Sequence, residues 1–153
     1  MIEFVDAGYE HVQAARSFIN KCRMTWSVYY PCPTEEYLND FVAAKEACEF
    51  YHCTVALDGQ RVVGIVSACI DISHNGMPIC QNHVVLVDST LPPFVMYSVI
   101  TRLLDKIYIF AKEQHCYRIA WTIGTGKWEA LQKIISRKFP STQVGVCLNS
   151  EIV

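Results

Sequence analysis

No charge of one sign dominates this chain. Lys and Arg number 13 against 15 Asp and Glu, a formal net charge of -2, whereas a dedicated nucleic-acid binder carries a strong basic excess. Nucleic acid is therefore not the expected partner, although a local basic patch stays compatible with the composition. No CxxC pair occurs among the eight cysteines, Cys22, Cys32, Cys48, Cys53, Cys69, Cys80, Cys116 and Cys147, so the closely spaced thiols of a zinc knuckle are missing. No leader is legible either. The opening residues lack a basic n-region, and Glu3 and Asp6 interrupt their apolar run, which reads as a first strand rather than an export signal. The expectation is a cytoplasmic protein whose thiols are all reduced and serve as small core hydrophobes. Long apolar runs free of charge are also absent. The longest candidate, Leu91 to Cys116, contains Arg102, Asp105, Lys106, Lys112 and Glu113. A lipid span tolerates few such charges, so it reads as a helix with one buried face, and no membrane is expected as a partner.

What is present is apolar bulk. Hydrophobic residues make up 52% of the 153 positions and charged residues 18%, enough to offset chain entropy in one ordinary domain spanning 1–153. Apolar residues at helical spacing (Val12, Ala15, Phe18, Ile19, Cys22) predict a helix from about Tyr9 to Met24. Pro31 and Pro33 break it, and Thr34 caps a second helix to about Glu49 that buries Leu38, Phe41, Val42 and Cys48. Strands follow at Cys53 to Leu57, Arg61 to Ile72 and Cys80 to Asp88, with turns at Asp58-Gly59 and Asn75-Gly76. A long helix opens near Ser89-Thr90-Leu91-Pro92-Pro93, with Thr90 or Ser89 as its cap and both prolines in its first turn. Tyr117 to Ile123 reads as a strand, Lys127 to Lys138 as a last helix, and Val144 to Leu148 as a closing strand. The order β-α-α-β-β-β-α-β-α-β implies an α/β fold: a mixed central sheet flanked by helices on both faces.

This order, with two local patterns, resembles the GNAT N-acetyltransferase superfamily over nearly the whole chain. Arg61-Val62-Val63-Gly64-Ile65-Val66 is similar to the family's third strand, and Ala130 and Phe139 match positions of its last helix. The resemblance implies acetyl-CoA as cofactor and a loop after the fourth strand whose backbone N–H groups hold the pyrophosphate. It assigns Val87, Ser89 and Thr90 to that cofactor site, and it places His83 where members often carry a catalytic carboxylate. An imidazole suits a base that deprotonates an amine. The alternative for His83 is a histidine satisfied by a partner on a half-buried strand.

Departures from the family pattern point away from catalysis. The stretch from Asp88 to Tyr97 has no glycine, contains two prolines and lacks Lys and Arg, while Asp88 adds negative charge. The position of the family's proton-donating tyrosine falls on Ile134; Tyr97 and Tyr108, on the long helix, are the nearest alternative donors but read as packing residues. The reading is a GNAT-fold protein without catalysis, retained as a binding or assembly module that contacts another protein. Small GNAT-like chains of tailed bacteriophages look similar, which suggests a phage structural protein as partner and a virion or its morphogenesis as setting. Trp26, Tyr29 and Tyr30, in the proline-rich loop between the first two helices, are the expected recognition surface for a partner or, since the same loop borders the acceptor site in the family it resembles, for an acceptor substrate. The alternative is a divergent acetyl-CoA-dependent N-acyltransferase acting on an amine, with His83 as base.

Other constellations carry less. His52-Cys53 and His115-Cys116 can each offer only one ligand, since adjacent strand residues face opposite ways, so no metal is expected. Gly124-Thr125-Gly126-Lys127 lacks the first glycine and the final Ser or Thr of a P-loop. Lys127, Lys133, Arg137 and Lys138 make the last helix basic, either as a solvated face or as a contact for phosphate or an acidic partner.

Overall fold

A computed structural model describes residues 1–23, 34–122 and 128–142. The elements run β1 (Ile2–Asp6), α1 (Tyr9–Arg23), α2 (Glu35–Ala47), β2 (Tyr51–Asp58), β3 (Arg61–Ile72), β4 (Pro78–Val87), α3 (Pro93–Glu113), β5 (Arg118–Ala120) and α4 (Trp128–Lys138). The closing strand expected at Val144 to Leu148, like Gly124 to Lys127, lies outside the described residues. Up to that point the expected order holds.

One five-stranded sheet runs β1-β2-β3-β4-β5, and it is mixed. The first four strands pair antiparallel, while β5 joins β4 in parallel after the α3 crossover. The β2–β3 loop is Gly59-Gln60, because Asp58 faces Arg61, and Gly59 and Gly76 take φ values of 63° and 76° at their turns, where a Cβ would be strained. Helices α1 and α2 cover one face, packing Val12, Phe18, Ile19, Leu38, Phe41 and Val42 onto Val55, Val62, Ile65, Val84 and Leu86. Helices α3 and α4 cover the other, with Leu103, Leu104, Ile107, Leu131 and Ile135 against Val63, Val66, Ala68 and Val85. Every apolar residue expected inside α1 is buried; Cys48 is only half-buried, because α2 ends at Ala47 and Cys48 is already its extended C-cap.

Two bulges bend the sheet. One lies opposite Ala56 and Leu57, and the sequence Val62-Val63-Gly64 spans it. Val62 packs toward α1 and α2 while Val63 packs toward α3. A Cβ on Gly64 would lie 3.0 Å from a Leu103 methyl and 3.1 Å from a Val99 methyl. The glycine therefore lets α3 lie close on the sheet. The second bulge is in β4: Ser67 faces Val84 and Ala68 faces Asn82, so His83 is the extra residue.

Two helix starts separate expectation from outcome. Thr34 caps α2 as expected, its side chain accepting from the Tyr37 N–H. At α3 the expected Ser89 or Thr90 cap is overturned: Pro92 is the N-cap, Pro93 opens the helix, and no side chain caps it. The hydroxyl and N–H of Thr90 are both given to Asp88 instead, at 2.6 and 2.9 Å. Thr90 thus stands two residues before the N-cap, fixed to Asp88 rather than to an N–H of α3.

Candidate active site

Strands β4 and β5 stay together for three residue pairs, Ile79–Arg118, Cys80–Ile119 and Gln81–Ala120. Beyond Gln81, β4 continues for six residues to Val87 while β5 has ended. That stretch of β4 has a strand on its β3 side only, so its backbone is open along the other edge among the described residues. His83 and Val87 both lie on this segment, and the expected cofactor loop, with Ser89 and Thr90, follows it directly. The sequence thus brings these four residues to one end of one strand.

The bulge has its own latch. Asn82 is 2% exposed, and its amide Nδ2 donates to the carbonyl oxygens of Ser67 and Val84 at 3.0 and 3.1 Å. These carbonyls flank the extra residue, so the side chain replaces ladder bonds that the bulge breaks. Its Oδ1 is buried without a partner among the described residues.

His83 itself is half-buried on the α2 face. Its Nε2 lies 3.1 Å from the Cys69 Sγ on β3, and the Phe41 ring meets the imidazole edge-on at 5.7 Å between centroids. Burial pushes the imidazole pKa down and the Cys69 thiol up, the latter helped by the Asp71 charge. The pair therefore rests as neutral thiol and neutral imidazole. On the same face the Tyr37 hydroxyl stands 3.3 Å from Ser67 Oγ. His83 therefore has a partner, and that partner is a thiol.

The loop after β4 is organised by Asp88, which is 3% exposed. Besides the two Thr90 donors, its carboxylate receives Lys21 Nζ at 3.1 Å and faces an Arg61 guanidinium nitrogen at 3.7 Å. Lys21 also reaches the Thr90 hydroxyl at 2.9 Å. Burial raises the Asp88 pKa, but the Thr90 and Lys21 donors outweigh it, and the carboxyl sits below its ordinary value. Two cations thus converge on a loop that has none of its own. They come from α1 and β3, and no local pattern announces them. They also neutralise Asp88, which weakens the charge objection read from the sequence. The objection from geometry stands: the first helical N–H groups of α3 are those of Phe94 and Val95, because Pro93 has none, and Phe94 is 83% exposed.

The remaining candidates scatter. Ile134 is partly buried against the α3 cluster. Tyr97 and Tyr108 are 48% and 47% exposed on α3, and Tyr108 packs by stacking on Phe139. Lys138 pairs with Asp105 at 2.7 Å, while Lys133 and Arg137 are exposed. Trp26, Tyr29 and Tyr30 lie outside the described residues. Among the described residues no group of three or more His, Cys, Asp and Glu could hold a metal, the six cysteines are free thiols, and no helix is long and apolar enough to cross a membrane.

No family model and no curated protein matches the sequence. Solved structures do. The glucosamine-6-phosphate N-acetyltransferase from Arabidopsis thaliana superposes with a TM-score of 0.67 at 12% identity, covering 100% of this chain and 99% of the other. AAC(6')-Iy in complex with a bisubstrate analogue built on CoA gives 0.69 at 15% identity, over 100% and 99% of the two chains. A transcriptional regulator from Bacillus halodurans C-125 gives 0.68 at 16%, over 98% and 100%. At such identities the likeness concerns the fold, and proteins with different activities carry it. The mixed sheet, its helices on both faces and the parting of β4 from β5 together give this chain a GNAT-like fold.

Proposed function

We propose that this chain is a GNAT-fold binding or assembly module that no longer uses acetyl-CoA, and that it docks another protein. The observation that carries this reading is the head of α3. A pyrophosphate at a helix N-terminus needs backbone N–H groups and close approach. Here Pro92 is the N-cap and Pro93 the first helical residue, so the leading positions have no hydrogen to donate, and no glycine opens the approach. The Thr90 N–H is already held by Asp88. Protein contact falls to Trp26, Tyr29 and Tyr30, whose aromatic side chains combine apolar area with a polar handle. A phage virion or its morphogenesis is the setting that the resemblance suggests.

A second reading rests on a different observation. The open edge of β4 and the bulge at His83 are what an acyl transfer site would use: a place for a thioester arm and a neutral imidazole to take the proton of an amine. The GNAT-like neighbours that act as N-acetyltransferases make acetyl-CoA the donor in this case. One assay separates the two. With acetyl-CoA and a generic amine, the module reading expects wild type and His83→Ala to be equally inert. A wild-type turnover that His83→Ala reduces by about 10²–10⁴-fold without unfolding would establish the transferase instead.

A further inference from the structure

His83 and Cys69 meet on the α2 face, one strand apart, and neither role above uses the thiol. Cys69 is the sole described cysteine whose sulfur contacts an imidazole nitrogen, at 3.1 Å. Cys48 and Cys116 are also half-buried, but no imidazole contact to either exists among the described residues. The geometry is that of a nucleophile hydrogen-bonded to a base. The base is oriented in turn: the bulge held by Asn82 sets its backbone, and the Phe41 ring packs against its edge. The neutral resting pair fits general-base activation, in which the proton moves only as the new bond forms.

We propose that Cys69 is an acyl-accepting nucleophile, with His83 as its base, and that its substrate class is an acyl thioester whose carrier is not held through a pyrophosphate. In the step, Cys69 Sγ attacks the thioester carbonyl and its proton passes to His83 Nε2. The carbon–sulfur bond to the carrier then breaks. The leaving thiolate takes the proton from His83, giving a free carrier thiol and an S-acyl Cys69. No oxidant or further reactant is needed. The proposal goes beyond the module reading without conflicting with it: the α3 head excludes a pyrophosphate, while this pair requires none. The acetyl-CoA assays above therefore succeed or fail separately from it.

The test uses the acetyl thioester of N-acetylcysteamine, a carrier without phosphate. The full chain is incubated with it, quenched in acid and mapped by peptide mass spectrometry for acetylated cysteines. Cys69 is expected to acquire its acetyl group at least about tenfold faster than Cys48 or Cys116, and His83→Gln is expected to remove that advantage while leaving the other two rates unchanged. Because the comparison among thiols is made within the wild-type chain, a variant that fails to fold does not blunt it. Cys69 labelling no faster than Cys48 and Cys116, or a rate that a folded His83→Gln chain retains, overturns the proposal.

Discussion

Asp88 gathers more of this molecule than any other polar residue described. It ties α1, β3 and the β4–α3 loop through Lys21, Arg61 and Thr90. Removing its charge by Asp88→Asn should cost about 1.5–3 kcal/mol, the range for hydrogen bonds to a charged group, read as a lower denaturation midpoint with an unchanged slope. Its folded pKa is depressed, so its stabilisation is present above the unfolded carboxylate value and is lost as pH falls through the folded one. The wild type should lose that share below about pH 4, and Asp88→Asn should not. His83 and His52 act at a higher window. Burial lowers both imidazoles, so the unfolded chain binds more protons below about pH 6.5, and stability falls as pH drops from there. Urea midpoints from pH 8 to pH 5 should show this decline, and His83→Gln should make it shallower. A flat profile in the wild type would contradict the burial of both rings. Little of this was legible in the sequence. Asp88 and Lys21 stand 67 residues apart, and Cys69 meets His83 only because a bulge adds one residue to β4.

Elements were read more fully than residues, and for physical reasons. The α1 face emerged from a helical period, the α2 start from the Thr34 cap, and the β2–β3 and β3–β4 turns from Gly59 and Gly76. Hydroxyl residues before a proline pair look like caps, and no local rule places the start of α3 at Pro92, two residues beyond Thr90. The bulge at Val63 was visible only as a Val-Val-Gly run. Its role yields a prediction at this scale. Gly64→Ala places a methyl against Leu103 and Val99 at 3.0 and 3.1 Å, and overpacking of this kind costs about 1–3 kcal/mol. Thermal unfolding should show a lower midpoint for Gly64→Ala. An unchanged or higher midpoint would mean that α3 does not rest as closely on the sheet as described. At the head of α3, replacing Pro92 and Phe94 with glycine should lower the midpoint too, by loosening both the unfolded chain and the helix start.

At the scale of the whole molecule, the fold class followed from element order alone, because an antiparallel meander and then a helical crossover leave few topologies. The site did not follow in the same way. The parting of β4 from β5 depends on β5 ending after Ala120, whereas the sequence predicted a strand to Ile123, partly outside the described residues. What the molecule does turns on whether its α3 head can hold a pyrophosphate, and binding answers that more directly than turnover. Acetyl-CoA titrated calorimetrically into the intact wild-type chain, to millimolar ligand, should give only the heat of dilution, and the melting temperature should not move. Specific binding at a concentration 100 times the Kd would stabilise the fold by about 2.7 kcal/mol. A saturable isotherm with that stabilisation, retained when Trp26, Tyr29 and Tyr30 are replaced, would contradict the account and return the chain to the acetyltransferases whose fold it shares.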